Sequence, residues 1–474
     1  MAIHEECGVF GMIGEVNPTI ARDVYYGLYA LQHRGQESCG IVINDDGIFA
    51  SHKDTGLVGE VFSERELSDL PAGGMAIGHV RYATTGGNTR NNIQPMIVSH
   101  QKGNLCLAHN GNLTNSLYLR DKLELSGAIF HSTSDTEVIS YVITRERLKT
   151  ASIEQAVLNA IRYFEGAFSL VMMSSTKLIA VRDPKGFRPL CYGKRNDGSY
   201  VIASESCALN AVGASFVRDL EPGEMLVFSG ENIECGPVSY REYCGGKKSP
   251  CIFEYIYFAR PDSMIDGISV HETRVRAGRI LAREHPVCAD VVVGVPDSGL
   301  DAAIGFSVES GIPYEIGLVK NKYVGRSFIF PTKGQRTDTV RIKLSPVKSV
   351  LNNKRVVLID DSIVRGTTSK RIISILREAG AKEIHLRISS PPFKHPCFYG
   401  VDVDSEDNLI ANHHSPEDIA RLIGADSIGF LPMDSLGEMS GCELYCSACF
   451  DGKYPTGIPD DTRKDRFEKK LSEV

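Results

Sequence analysis

The stretch Val356–Ser369, VVLIDDSIVRGTTS, constrains the fold more than any other part of the 474-residue chain. Val356, Val357, Leu358 and Ile359 form an apolar run of the length expected for a buried strand. Asp360 and Asp361 follow at its end. Ser362 comes next, and Arg365, Gly366, Thr367, Thr368 and Ser369 then open a helical pattern. In that pattern Ile372, Ile373, Ile375 and Leu376 are apolar and Gly380 is the stop. Strand, acidic pair, Gly/Thr turn and helix predict a ligand site at the carboxyl end of a parallel strand. Backbone N–H groups and hydroxyls at a helix start suit a phosphate, and the two carboxylates suit a sugar diol or a hydrated Mg²⁺. A sugar phosphate with a metal satisfies both halves. A solvated Asp-Asp loop is the plainer reading, but it leaves the order of the other features unexplained.

The surroundings of this stretch repeat its alternation. ADVVVGVPDSG (289–299), PYEIGLVK (313–320), KRVVLIDDS (354–362) and EIHLRIS (383–389) read as strands, with helices after 299 and 366. Alternating β and α predicts a doubly wound parallel sheet. The first half differs. Its short apolar runs CGVFGMIG (7–14), NLCLAHNGNL (104–113), AFSLVMMSS (167–175) and YVIASESCAL (200–209) are separated by glycine. Helical patterns intervene near 19–32, 114–126, 135–148 and 152–164, which predicts a layered α/β domain rich in β structure. The join falls near 235–251, where Gly236-Pro237 and CGGKKSPC break the periodicity. The last fifteen residues are highly charged and read as an exposed helix or frayed tail.

Composition excludes several classes. A chain of this length holds two or three domains with sizeable cores. The net charge of −7 gives no reason to expect nucleic-acid binding. No apolar run approaches a membrane span, and MAIHEE is no secretory signal, so a cytoplasmic location is the default. Thirteen cysteines, odd in number and irregular in spacing, do not describe a disulfide scaffold. Cys39, Cys106 and Cys191 sit in apolar surroundings and read as small core residues.

Cys7 lies in HEECGVFGMIG, just ahead of a strand. Three further segments accompany it: GHVRYATTG (78–86), AHNGNL (108–113) and STSDTE (132–137). Taken singly, a cysteine beside a strand is core, Asn-Gly is a turn and Arg81 is a surface residue. In this joint order they resemble the glutamine amidotransferases of the N-terminal-nucleophile class. The resemblance implies that Cys7 attacks the glutamine amide and that its own α-amino group serves as base. An α-amine titrates at about 7.7–8.0, which suits the task near neutral pH. An internal cysteine has no such amine, so Met1–Glu6 must be a propeptide that is removed. The same resemblance gives Arg81 the glutamine α-carboxylate, Asn110 and the Gly111 N–H the oxyanion, and Asp135 the α-ammonium. LQHRGQESCGI (31–41) also looks family-like and is read as structural support.

In the second half, Val356–Ser369 closely resembles the binding signature of type I phosphoribosyltransferases, whose substrate is phosphoribosyl pyrophosphate (PRPP). GVPDSG (294–299) alone reads as a β-turn. In that family a loop here cradles pyrophosphate, with Asp297 and Ser298 the candidates and Ser298 reaching Mg²⁺ beside Asp360 and Asp361. VKNKYVGRSFIFPTKGQR (319–336) resembles the mobile loop that closes over PRPP and excludes water. The two halves together are similar to the glutamine-dependent PRPP amidotransferases, which supply the first committed step of purine synthesis. FEYIYFARPDS (253–263) also matches that family, at the place where its two sites meet. The resemblance implies that ammonia released at Cys7 travels inside the protein and displaces pyrophosphate from PRPP, giving 5-phosphoribosylamine.

The expected organisation is a propeptide at 1–6, an αββα glutaminase domain at 7–243, a phosphoribosyltransferase domain at 251–455 and a charged tail at 456–474. Cys446-Ser-Ala-Cys449 by itself fits zinc, a redox dithiol or an Fe–S cluster, although the strand-to-helix context of a redox dithiol is absent. With Cys251 and Cys397 it resembles the [4Fe–4S] site of one branch of the family. Zinc has the same four-cysteine inventory, so spacing does not separate the two. The family also implies a homotetramer and feedback inhibition by purine nucleotides. Two other classes remain in view. An amidotransferase making amino sugars would share Cys7, Arg81, Asn110 and Asp135 but not Val356–Ser369. A non-enzymatic PRPP-binding regulator would need no glutaminase half.

Overall fold

Burial of both sides of the first strand sets the architecture of the amino-terminal half. β1 (Gly8–Asn17) begins directly after Cys7. Its Val9 and Ile13 join one apolar core and its Phe10 and Met12 another, all essentially without exposure. A strand apolar on both sides must lie between two layers. The computed structural model, which describes residues 7–82, 89–321, 344–401, 403 and 405–459, has that arrangement. The expected propeptide 1–6, most of the loop 319–336 and the final fifteen residues lie outside the described residues.

After β1 come α1 (Ile20–Ala30), β2 (Ser38–Asp45), β3 (Ile48–Thr55), β4 (Gly73–Arg81), β5 (Met96–His100) and β6 (Gly103–Leu113). Three helices follow: α2 (Ser116–Leu125), α3 (Asp135–Lys149) and α4 (Ile153–Ile161). The half closes with β7 (Gly166–Met173), β8 (Lys177–Arg182), β9 (Cys191–Lys194), β10 (Tyr200–Ala203), α5 (Ser206–Ala211), β11 (Ser215–Asp219), β12 (Met225–Ser229) and β13 (Val238–Tyr240).

One sheet has the order β11-β9-β10-β1-β4-β2-β3 and the other β13-β12-β8-β7-β6-β5. Along β6, Leu105 and Leu107 pack with Val138, Ile139 and Val157 of the helices, while Cys106 and Ala108 pack with Val9 and Val42 of the facing sheet. That two-residue period makes a helix–sheet–sheet–helix sandwich. Each fully buried side chain of this kind contributes about 1.5–3 kcal/mol. Of the expected run 200–209, only Tyr200–Ala203 is strand. Ser204 and Glu205 leave the sheet, and the chain turns into α5.

The carboxyl-terminal half contains α6 (Val270–Glu284), β14 (Val291–Gly294), α7 (Leu300–Ser310), β15 (Arg355–Asp360), α8 (Thr367–Glu378), β16 (Glu383–Ile388), α9 (Pro416–Ile423) and β17 (Ser427–Phe430). Its four strands are parallel in the order β14-β15-β16-β17. Val291, Val293, Val356 and Leu358 pack with α8 and α9 on one face, and Val292, Val357 and Ile359 with α6 and α7 on the other. The sheet is therefore doubly wound, as the βα alternation requires.

The segment 313–320 departs from the expected strand. Only Val292 bridges to Tyr314, and Leu318–Lys320 instead pairs antiparallel with Leu344–Pro346, off the main sheet. Between the bridge and this hairpin, Gly317 packs tightly on Val293, where an added Cβ would stand 2.6 Å from a methyl group.

Candidate active site

Strand pairing gathers the glutamine-site candidates at one end of the sandwich. Gly8 lies opposite Val80 and Ser38 opposite Arg81, so Cys7 stands beside the end of β4. Its thiol is buried and donates to the Tyr82 carbonyl at 3.5 Å. Arg81 is buried as well. From the same strand, His79 Nε2–H donates to the His109 carbonyl at 3.0 Å, which links β4 to β6. Burial pushes the His79 imidazole down to about 3, so it stays neutral.

Asn110 follows on β6. It is buried, and its Nδ2 has no hydrogen-bond partner among the described residues. An orphaned buried amide donor is costly unless a ligand completes it. Gly111 has φ +139°, and a Cβ there would lie 2.2 Å from the Ala167 carbonyl. Only glycine fits, and the positive φ turns the backbone at the residue that resembles an oxyanion donor.

Asp135 is the first residue of α3, with Ser134 as the capping residue. Its carboxylate accepts from the Leu113 N–H at 3.0 Å and stands 3.5 Å from His109 Nδ1. Burial by itself would raise this carboxyl, but His109, the Leu113 N–H and Arg81 outweigh it and hold the group below the usual carboxylate range. The helix N-terminus favours the same charged form.

At the other site, Asp360 ends β15 and Asp361 begins the turn, both buried. Asp361 N–H donates to Asp360 Oδ1 at 3.0 Å, and the Ser362 hydroxyl donates to Asp361. Burial, with Asp361 beside it, pushes the Asp360 carboxyl well up. Gly366, at φ +74°, precedes α8. Thr367 and Thr368 are exposed on the first turn, Arg365 is half-buried and Ser369 is buried. The Val295 N–H donates to the Ile359 carbonyl at 2.8 Å, which sets the turn carrying Asp297 and Ser298 against the same strand end. Asp297 is exposed and pairs with Lys320, while Ser298 is half-buried.

Cys251, Cys397, Cys446 and Cys449 line one cavity, walled by Phe187, Phe253, Phe393 and Tyr399. Cys251 and Cys446 bridge as parallel backbone neighbours, and Cys397 Sγ accepts from the Tyr399 N–H at 3.4 Å. Burial and then the neighbouring Cys397 push the Cys446 thiol up to about 12. Burial and then Cys397, Cys251 and Cys446 push Cys449 well above its usual value. Among the described residues no three His, Cys, Asp or Glu side chains are grouped to hold a single metal ion.

Contacts outside the quoted site residues join the two halves. The Asn112 amide, two residues from Asn110, donates to the Phe398 carbonyl beside Cys397 at 2.9 Å. Arg34, Arg188, Glu205 and Glu254 form a buried ionic network between the halves. His79 and His109 lie inside the motifs GHVRYATTG and AHNGNL, close along the chain to Arg81 and Asn110. Charged residues embedded in otherwise apolar or glycine-rich runs were the available signal.

A cysteine at the head of a two-sheet sandwich, followed by a parallel sheet with an acidic pair at a strand end, defines a glutamine amidotransferase fused to a phosphoribosyltransferase. Residues 79–211 match the family model described as a glutamine amidotransferase domain. The chain is 50% identical over 463 residues to the amidophosphoribosyltransferase of Methanocaldococcus jannaschii, covering 95% of this chain and 98% of that one. It is 50% identical over 468 residues to the Bacillus subtilis enzyme of the same name, covering 97% and 96%. The solved structure of B. subtilis glutamine PRPP amidotransferase complexed with ADP and GMP superimposes with a TM-score of 0.88 at 48% identity, covering 96% of this chain and 99% of that one. The chain belongs to the amidophosphoribosyltransferase family. Its activity is glutamine-dependent amination of PRPP in purine biosynthesis, which yields 5-phosphoribosylamine, glutamate and pyrophosphate. No described helix is long and apolar enough to cross a membrane.

Proposed function

We propose that Cys7, once Met1–Glu6 are removed, is the nucleophile that releases ammonia from glutamine, and that the ammonia passes within the chain to PRPP at the end of β15. The observation that carries this reading is the convergence of Cys7, Arg81, Asn110, Gly111 and Asp135 through the β1–β4–β6 contacts. The thiolate adds to the glutamine amide carbon, and the charge that develops on oxygen meets the unpartnered Asn110 amide and the Gly111 N–H. The freed α-amine of Cys7 takes the thiol proton and returns it to the departing ammonia, which leaves a γ-glutamyl thioester for water to hydrolyse. Arg81 holds the glutamine α-carboxylate through its planar fork. Asp135, kept ionised, holds the α-ammonium.

At the PRPP end, Asp360 and Asp361 would bind the ribose diol, and they and Ser298 would hold Mg²⁺. The neighbouring anionic pair, one member pushed up, is a donor set that a hard cation relieves. Mg²⁺ supplies charge neutralisation of the pyrophosphate. Ser362, Arg365, Gly366, Thr367, Thr368 and Ser369 wrap the 5′-phosphate at the start of α8, and Asp297 and Ser298 belong to the pyrophosphate loop.

Cys251, Cys397, Cys446 and Cys449 form the donor set of a [4Fe–4S] cluster. Four cysteines, three of them buried and Cys449 half-buried, around one apolar cavity support this reading. Held by these four cysteines, such a cluster would clamp the carboxyl-terminal segment to the domain junction. The wider reading includes a homotetramer and purine nucleotides as inhibitors. The relative solved with ADP and GMP supports the nucleotide part.

Cys7→Ala tests the central assignment. It should abolish glutamine-dependent synthesis and leave synthesis from added ammonia intact. Glutamine-dependent turnover by this variant would remove Cys7 from the reaction.

A further inference from the structure

Arg34 is fully buried, and its guanidinium makes three kinds of contact that no single domain accounts for. Its Nε–H donates to the carbonyl of Cys7 at 3.2 Å. One Nη donates to Glu205, and the other donates to Glu254 at 2.6 Å. Glu205 lies before α5 in the amino-terminal half. Glu254 begins a turn of π-helix, Glu254–Phe258, on the far side of the domain join. Such turns are rare and recur at functional sites.

The π-turn is fixed from both sides. On the glutaminase side, Arg188 Nη1 stands 3.3 Å from Glu254, and Arg188 also donates to the Tyr399 carbonyl at 2.6 and 3.1 Å. Glu205 additionally accepts from the Arg260 N–H at 2.9 Å and the Ser263 hydroxyl at 2.7 Å. On the PRPP side, buried Arg274 of α6 donates to the carbonyls of Tyr255, Tyr257 and Ala259 at 2.9, 2.9 and 2.7 Å. A planar guanidinium bound to fixed acceptors has little freedom to move, and its fork cannot be copied by an ammonium.

We infer that Arg34 is a positioning residue for the nucleophile: it holds the Cys7 peptide in place and draws its own orientation from Glu254 of the synthase half. The inference rests on Cys7 being the nucleophile. Its consequence is that a carboxylate in the PRPP domain controls the geometry of thiol attack in the other domain. The contacts of Arg34 and Glu254 are with other protein groups, so both are assigned positioning rather than catalytic roles.

The test compares Arg34→Lys and Glu254→Gln with wild type in the full-length cluster-loaded enzyme, using glutamine and ammonium chloride as alternative nitrogen sources. Lysine keeps the positive charge but has no Nε–H for the Cys7 carbonyl. Glutamine at 254 keeps the shape and removes the anion that orients Arg34. Misplacing a reacting group by about 1 Å costs on the order of 100-fold, so glutamine-dependent kcat should fall about 30- to 100-fold in Arg34→Lys and less in Glu254→Gln. The glutamine KM should change little, because Arg81 and Asp135 are untouched. Ammonia-dependent synthesis should stay within about twofold of wild type, since the PRPP site is not contacted.

A proportional fall of both activities would overturn the inference and reduce the network to a folding role, as would insolubility of both variants. Unchanged glutamine kcat in a soluble Glu254→Gln would overturn it too. If Arg34→Lys alone is insoluble, the isosteric Glu254→Gln decides. Failure of the nucleophile assignment is separate: it would appear as activity in Cys7→Ala, whatever Arg34→Lys does.

Discussion

At the glutamine end, the buried Asp135 carboxylate finds the Leu113 N–H, His109 and Arg81. At the PRPP end, the equally buried Asp360 finds Asp361, another acid. Burial alone would raise both carboxyls, and the partners decide the outcome: Asp135 ends below the usual range and Asp360 well above it. On the proposed reading, the first site is an anion set to take an ammonium group, and the second is a carboxylate pair that an added cation would relieve. Carboxyls pushed apart in this way by their surroundings are a recurrent mark of functional sites.

The comparison breaks most directly at Asp135. Asp135→Asn leaves the Leu113 N–H facing an amide and removes the anion from the α-ammonium. Glutamine kcat/KM should drop by about two orders of magnitude, equivalent to roughly 2.7 kcal/mol of charge-assisted binding. Ammonia-dependent synthesis should persist. Steady-state kinetics with both nitrogen sources checks this.

A smaller effect of opposite sign is expected at the PRPP end. In the absence of PRPP and Mg²⁺, Asp360→Asn removes a buried acid that stands beside a second one and should stabilise the protein at pH 8 by about 1–3 kcal/mol. The sign follows from linkage. A carboxyl raised in the folded state supports folding below its unfolded pKa, about 3.9, and loses that contribution as pH rises through the folded value. The gain should therefore shrink toward pH 4. Asp135 behaves in reverse, because its depressed carboxyl contributes stability above about pH 3.9 that is lost as pH falls through the folded value. Denaturation midpoints of Asp360→Asn and Asp135→Asn across pH should diverge in opposite directions.

Mg²⁺ alone sharpens the contrast further. If Mg²⁺ binds Asp360 as proposed, it competes with the proton there and should raise the wild-type melting temperature by a few degrees at pH 8 and much less at pH 5. Asp135→Asn should leave that increment unchanged. The smallest effect belongs to Lys320, whose pair with Asp297 is largely exposed. Lys320→Ala should change stability by no more than about 0.5 kcal/mol in chemical denaturation.

The two sites also differ in how far sequence reveals them. The acid pair at the PRPP site is local: strand, Asp360, Asp361, glycine turn and helix follow each other within one stretch, so periodicity and turn chemistry were enough. The glutamine site is assembled from β1, β4, β6 and α3, whose order along the chain carries no metric information. Its candidates came from a family resemblance, and the contacts that unite them, such as His79 to His109, are tertiary. The same limit explains the misread strand at 313–320. Its apolar residues resemble those of a core strand, but Leu318–Lys320 pairs with Leu344–Pro346 off the sheet, a partner distant along the chain that local pattern does not reveal. Arg34 and Glu254 lie 220 positions apart, and no local pattern pairs them.

The most direct measurement is a pair of rates, from glutamine and from ammonium chloride, taken on Asp135→Asn and on Asp360→Asn combined with Asp361→Asn. The account predicts that Asp135→Asn loses only the glutamine rate, whereas the double variant loses both rates together with Mg²⁺-dependent PRPP binding. Loss of the ammonia rate in folded Asp135→Asn, or undiminished PRPP binding in the double variant, would contradict the division of labour between the two carboxylate sites.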